Sequence, residues 1–231
     1  MLVSLHLPKT AGTSFGAALD AHFGGALLRD YGDLPLNTPA IVRNHLALQA
    51  SLDIAGGFPD STACVHGHFL PVKYLLLAAH RELRFMTWMR HPVERLVSHY
   101  AFWRRNPPPS PAHALHWRMH AEDWSLETFC LAPELRDVYT QFLWGFPLET
   151  FDFIGITEHY EADFEMFSRR YMGSASAPMR LNVGAAGERG ASLQVHAELR
   201  QRIEAFHARD MALYDRALAL RAARSSSAGL T

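Results

Sequence analysis

Val3-Ser4-Leu5-His6-Leu7-Pro8-Lys9-Thr10-Ala11-Gly12-Thr13-Ser14-Phe15 stands at the head of the chain. A short apolar run ends in Pro-Lys, a turn with one glycine follows, and apolar residues then recur at helical spacing (Phe15, Leu19, Phe23). Strand, turn and helix in that order aim free backbone N–H groups and a helix N-terminus at one point, which is how a phosphate is cradled. Lys9 adds a mobile positive charge, and the hydroxyls of Thr10, Thr13 and Ser14 are further candidate donors. The pattern differs from the Walker A loop, in which Lys directly follows the second glycine. An ordinary strand-to-helix turn with a Thr or Ser cap is the plainer alternative for this segment alone.

A second segment has the same logic. Leu83–Arg90 reads as a buried strand, Pro92 sits where a first helical turn begins, and Val93 to Arg104 repeats apolar residues along one face. Arg90 falls at the carboxyl end of the strand and Ser98 two turns into the helix, so both can converge on a phosphate, the Arg through a forked pair of hydrogen bonds. The competing possibility is that Arg90 pairs with Glu94 and Ser98 faces solvent.

Together the two segments resemble sulfotransferases that use 3′-phosphoadenosine 5′-phosphosulfate (PAPS). His6–Phe15 is similar to that family's 5′-phosphosulfate loop, and Arg90-His91-Pro92-Val93-Glu94-Arg95-Leu96-Val97-Ser98-His99-Tyr100 to its 3′-phosphate motif. The wording is nearest the carbohydrate branch, which includes the heparan sulfate 2-O-sulfotransferases and soluble bacterial members. Val65–Phe69, Phe151–Glu158, Leu181-Asn182-Val183 and Asp210 with Leu213-Tyr214 resemble further segments of that branch. The family places Asp or Asn where this chain has His91, a position expected to shape the turn. The resemblance implies a P-loop-like, three-layer α/β fold with a central, mainly parallel sheet flanked by helices. It also implies PAPS as donor, without a metal.

The alternation of apolar runs (Leu2–Leu7, Thr62–His66, Leu83–Met89, Phe151–Ile156) with helical patterns independently favours a parallel sheet covered on both faces. Ligands of such sheets bind beyond the carboxyl ends of the strands, where Lys9, His66, His68 and Arg90 all fall. A helix is expected over 38–52 and another from Ser125, its cap. Proline-rich 107–111 opens an insertion spanning 107–124, and 173–190, rich in Gly, Ser and Ala, reads as a loop over the site. One closing helix is expected from Leu193 to about Ala222, giving a single domain over 1–224 and a disordered tail over 225–231.

With 48% apolar and 19% charged residues in 231, the composition is that of a globular domain large enough to need no staples. A net charge of −1 gives no global field for nucleic acid or an anionic membrane. Two cysteines, Cys64 and Cys130, make no disulfide framework. Met1 directly precedes the first strand without a basic or long apolar leader, so the expectation is a cytoplasmic protein not inserted in a membrane.

For the chemistry, Lys9 is placed to neutralise the departing phosphate. The turn Thr10-Ala11-Gly12-Thr13-Ser14 would hold the 5′-phosphate, and Arg90 and Ser98 the 3′-phosphate. Asn182 would touch nucleotide or order the late loop. His66 and His68, at i and i+2 on a strand end, point to one side. The resemblance assigns catalytic histidines here, with His68 as the general base and His66 in support; His66 could equally bond a loop carbonyl. No third metal ligand stands at recognisable spacing. His6 is expected in the core; His113, His116 and His120 on a solvated face or an acceptor wall; Trp103, Trp117, Trp124 and Trp144 in the core or against sugar rings. Arg104 and Arg105 either receive an anionic acceptor or end a solvated helix. The acceptor expected is a hydroxyl of a saccharide or glycolipid, or of another small molecule. A kinase using ATP and Mg²⁺ and a non-catalytic module for 3′-phosphoadenosine 5′-phosphate (PAP) are the competing functions.

Overall fold

The computed structural model describes residues 1–173 and 195–228, with side chains through 224. Asn182 and most of the expected 173–190 loop lie outside the described residues. The sheet has five strands: β1 Leu2–Leu5, β2 Leu27–Asp30, β3 Cys64–Gly67, β4 Arg84–Met89 and β5 Phe153–Ile156. All pair in parallel, in the order β2-β3-β1-β4-β5. From β1 the chain goes to β2 and back to β3 on one side, then crosses to β4 on the other. The crevice where the connections diverge therefore lies above the carboxyl end of β1, at the Pro-Lys turn.

Around the sheet lie α1 Gly12–Phe23, α2 Ala40–Gly56, α3 Pro92–Arg105, α4 Ala114–Ala121, α5 Leu126–Cys130, α6 Val138–Phe142, α7 Tyr160–Tyr171, α8 Ala197–Phe206 and α9 Ala208–Ala228. The expected α/β class is the one observed. Two apolar clusters fill the layers between helices and sheet. The larger joins Val3, Leu5, Val65 and Met89 to α3, α6 and α9. The smaller packs Phe15 and Leu19 of α1 and Phe164 and Phe167 of α7 on Met86, Trp88 and Phe153.

Two elements depart from expectation. β2 has no apolar run: only Leu27-Leu28-Arg29-Asp30, an edge strand whose middle residues are exposed and whose pairing to β3 makes it a strand. The closing helix is two helices. His207 breaks it because its buried ring is claimed by the core: Nδ1 accepts from the Asp137 N–H at 3.1 Å, and Nε2 lies 2.7 Å from the Cys130 carbonyl, to which it donates. α9 then runs to Ala228, past the start of the expected tail, tied to α7 by Arg221 on the buried carboxylate of Asp163 at 2.8 Å.

The insertion forms α4, and two of its histidines turn inward onto Trp103 instead of making a solvated face. His116 stacks on Trp103 with ring centroids 4.4 Å apart. The Nε2 atoms of His116 and His120 lie 3.1 and 2.8 Å from the Trp103 carbonyl. Trp103 and Trp124 are core residues, whereas Trp117 and Trp144 keep exposed faces. Ser125 caps α5, accepting from the Thr128 N–H at 3.0 Å.

Candidate functional site

The turn after β1 is held in a shape that ordinary residues resist. Lys9 and Ala11 both sit in the left-handed region, at φ 65° and 67°, which costs an L-residue about 1–2 kcal/mol. Thr10 donates its hydroxyl to the Leu7 carbonyl at 2.8 Å, so this hydroxyl fastens the turn. Gly12 begins α1 directly above His6: a Cβ there would sit 1.7 Å from His6 Nε2. The first intrahelical bond is from Phe15 N–H to the Ala11 carbonyl. The N–H groups of Ala11, Gly12 and Thr13 thus point out of the helix N-terminus with no acceptor among the described residues. Thr13 is exposed at this end, whereas Ser14 is buried.

Lys9 reaches across to α3, with Nζ 4.0 Å from the Phe102 ring centroid. Ser98, Phe102 and Arg105 stand at i, i+4 and i+7, so Lys9 lies against the helix face that carries Ser98. Burial, then the charges of Arg90 and Arg105, lower the Lys9 ammonium to about 8. Among the described residues none of these three cations has a carboxylate partner. The Glu94 that might have neutralised Arg90 pairs with Arg200 of α8 at 2.5 Å instead. Arg104, by contrast, is spent on Asp123 at 2.5 Å. Three cations close enough for the charges of Arg90 and Arg105 to act on Lys9, none with a carboxylate partner among the described residues, favour an anion carrying more than one charge beside the β1–α1 turn.

Arg90 is positioned through its backbone. The Tyr139 hydroxyl donates to the Arg90 carbonyl at 2.6 Å and lies 3.0 Å from the Arg90 N–H. The carboxylate of Asp210 accepts from the N–H groups of Tyr139 and Thr140 at 2.9 and 3.0 Å, which fixes the first turn of α6. The next residue, His91, donates its N–H to Glu158 at 2.9 Å, and Tyr214 donates to the other oxygen of the same carboxylate at 3.1 Å. Arg95 lies fully buried, its Cζ 5.5 Å from the Tyr139 ring. Tyr139, Glu158, Asp210 and Tyr214 are therefore the supports of the β4–α3 turn. The sequence reading quoted three of them without a role and passed over Tyr139, which carries no local signal.

Beneath the β1–α1 turn lies a stack of imidazoles. His6 packs between His66 and His68, at centroid distances of 5.2 and 4.4 Å, and its Nδ1 is 2.9 Å from the Tyr31 hydroxyl. His66 is 1% exposed, with Nδ1 2.8 Å from Ser4 Oγ and Nε2 against Gly16 of α1. Burial, and next the Arg29 charge, push it down to about 3. It is a neutral part of the floor, sealed from any acceptor. His68 is half-buried. Its Nδ1 bonds the His6 carbonyl; a carbonyl only accepts, so this nitrogen carries the proton. Nε2 then holds a lone pair with no partner among the described residues. Burial lowers His68 to about 4, so it is neutral at pH 7. Of the two histidines expected to act, His66 has its free nitrogen buried against α1, whereas His68 keeps one that is not sealed among the described residues. The described residues contain no group of His, Cys, Asp and Glu that would hold a metal ion. No described helix is long and apolar enough to cross a membrane.

No family model matches the chain, and no curated protein does. Among solved structures it is similar to a sulfotransferase from Alicyclobacillus acidocaldarius, at 14% identity over 91% of this chain and 92% of that one, with a TM-score of 0.48. A likeness at that score decides neither fold nor chemistry.

Proposed function

We propose that the protein is a sulfotransferase that moves a sulfuryl group from PAPS to a hydroxyl of an acceptor, in the manner of the carbohydrate branch its motifs resemble. The observation that carries this reading is the cation set Lys9, Arg90 and Arg105, which act on one another, have no carboxylate partner among the described residues and gather at the turn that opens α1. PAPS needs two anion sites. The N–H groups of residues 11–13, with Lys9, suit the 5′-phosphosulfate; Arg90 and Ser98 suit the 3′-phosphate, the group that distinguishes it from ATP.

The bond between sulfur and the bridging phosphate oxygen breaks as the acceptor oxygen bonds to sulfur, and PAP leaves. Such a transfer is driven by positioning and charge stabilisation. Lys9 neutralises charge developing on the departing oxygen. The acceptor proton passes to His68 Nε2, whose opposite nitrogen is already anchored on the His6 carbonyl. The donor's negative charge raises the basicity of this imidazole from its low resting value, since an opposite charge favours the imidazolium. A saccharide hydroxyl is the proposed acceptor.

Calorimetric titration with PAP and with adenosine 5′-phosphate tests the donor assignment. PAP should bind at least about tenfold more tightly, and Arg90→Ala should remove most of that margin, because a lost charge-assisted bond costs about 1.5–3 kcal/mol. Equal affinities for the two nucleotides would refute the 3′-phosphate site.

A further inference from the structure

A second cleft opens on the far side of α6. One face of that helix carries Tyr139, which clamps Arg90, and Phe142, whose ring lies 6.3 Å from His68. The opposite face, Thr140 and Gln141, together with Trp144 beyond its end, lines a cleft of about 690 Å³ against the start of α2. That volume is within the range of small-molecule sites.

Its charge is unbalanced. The lining holds the guanidinium groups of Arg43, Arg136 and Arg209 and the carboxylates of Glu134 and Asp137. Glu134 is already paired at 2.6 Å with Arg118, which is not among the lining residues. Arg43 is 6% exposed, and its Nη1 donates to the Pro35 carbonyl at 2.8 Å and to Gln141 Oε1 at 2.9 Å, both uncharged. Among the described residues its Nε is buried without a partner and no carboxylate comes within ion-pair distance of its guanidinium. Arg209 is exposed and has no ion pair among the described residues. A nearly buried guanidinium without a counter-ion is costly unless an anion completes it. Trp144, 38% exposed, adds a flat apolar face to the same cleft.

We propose that this cleft is a second ligand site, for a ring-bearing carboxylate or sulfate whose anion meets Arg43 and Arg209 while the ring lies on Trp144. A sugar acid and a non-sugar ring acid share this chemistry. The site is independent of what the β1–α1 turn binds.

The indole N–H resonances of the ¹⁵N-labelled full chain test it, the Trp144 signal being assigned by its loss in Trp144→Phe. Titrants are glucuronate, benzoate, glucose and inorganic sulfate. Saturable movement of the Trp144 signal by glucuronate, by benzoate or by both is expected, with glucose and sulfate each at least about tenfold weaker. Which of the two acids binds more tightly names the source. Arg209→Gln, an exposed change, should weaken binding about tenfold while PAP affinity stays unchanged. No saturable response to either acid, an equal response to inorganic sulfate or to glucose, or undiminished affinity in Arg209→Gln would overturn the proposal.

Discussion

Lowering the pH from 7.5 to 5.5 should destabilise this protein by at least about 3 kcal/mol, and the sum comes from a few named side chains. His66, His99 and His207 are each no more than 3% exposed. Burial pushes His66 down to about 3, His207 to about 4 and His99 well below its ordinary value. An unfolded histidine titrates near 6.5, so below that pH the unfolded chain binds protons the folded chain refuses. The stability these groups contribute is complete above 6.5 and is lost as the pH falls. At pH 5.5 each costs about 1.4 kcal/mol, so about 4 kcal/mol for the three. Asp210 acts in the opposite sense. Burial raises its carboxyl to about 6, so the folded state takes up a proton first and recovers about 1 kcal/mol at pH 5.5. His6 and His68, also lowered by burial, add to the loss. A net loss of about 3 kcal/mol or more is a large share of the 5–15 kcal/mol typical of a domain. Urea unfolding at pH 7.5, 6.5 and 5.5 measures it. A flat free energy across that range would refute the buried, neutral histidines.

Two further outcomes follow from the β1–α1 turn. Because Lys9 titrates near 8 and must be charged to meet the donor, kcat/KM should fall above about pH 8, and Lys9→Met should abolish that limb along with most activity; a profile level to pH 9.5 would contradict the role. Gly12→Ala should destabilise the fold by several kcal/mol, since its Cβ would overlap the His6 ring, which is stacked between His66 and His68, whereas Ala11→Gly should leave it unchanged or about 1 kcal/mol more stable by relieving the left-handed strain. Thermal unfolding of the two variants checks the pair, and equal effects would show the turn to be built otherwise.

The parallel sheet was legible because β1, β3, β4 and β5 are buried and announce themselves as apolar runs, and the Pro-Lys turn and the Arg90 turn follow two of them directly. Edge strand β2 was not, because Leu27–Asp30 is a strand only through its partner β3. The break at His207 was invisible for a similar reason: its ring is bound by Asp137 and Cys130, some 70 residues earlier. At the candidate site, sequence named Lys9, Arg90, Ser98, His66 and His68 and favoured His68 as base, but not how the two imidazoles differ in their surroundings. That distinction depends on which nitrogen the His6 carbonyl takes and on α1 closing over His66. The Thr10 hydroxyl reads as a free donor in the sequence, whereas in the fold it donates to the Leu7 carbonyl. Tyr139 left no trace, since a lone tyrosine in a short helix carries no pattern that names its distant partner.

The most direct test of sulfuryl transfer is PAP release from PAPS in the presence of a panel of neutral and acidic oligosaccharides, with wild type and His68→Ala side by side. The account predicts acceptor-dependent PAP formation by the wild type, reduced about 10²–10⁴-fold in His68→Ala while PAP affinity is retained. Acceptor-dependent transfer that is undiminished in His68→Ala, or phosphate release from ATP and Mg²⁺ with PAPS untouched, would contradict it.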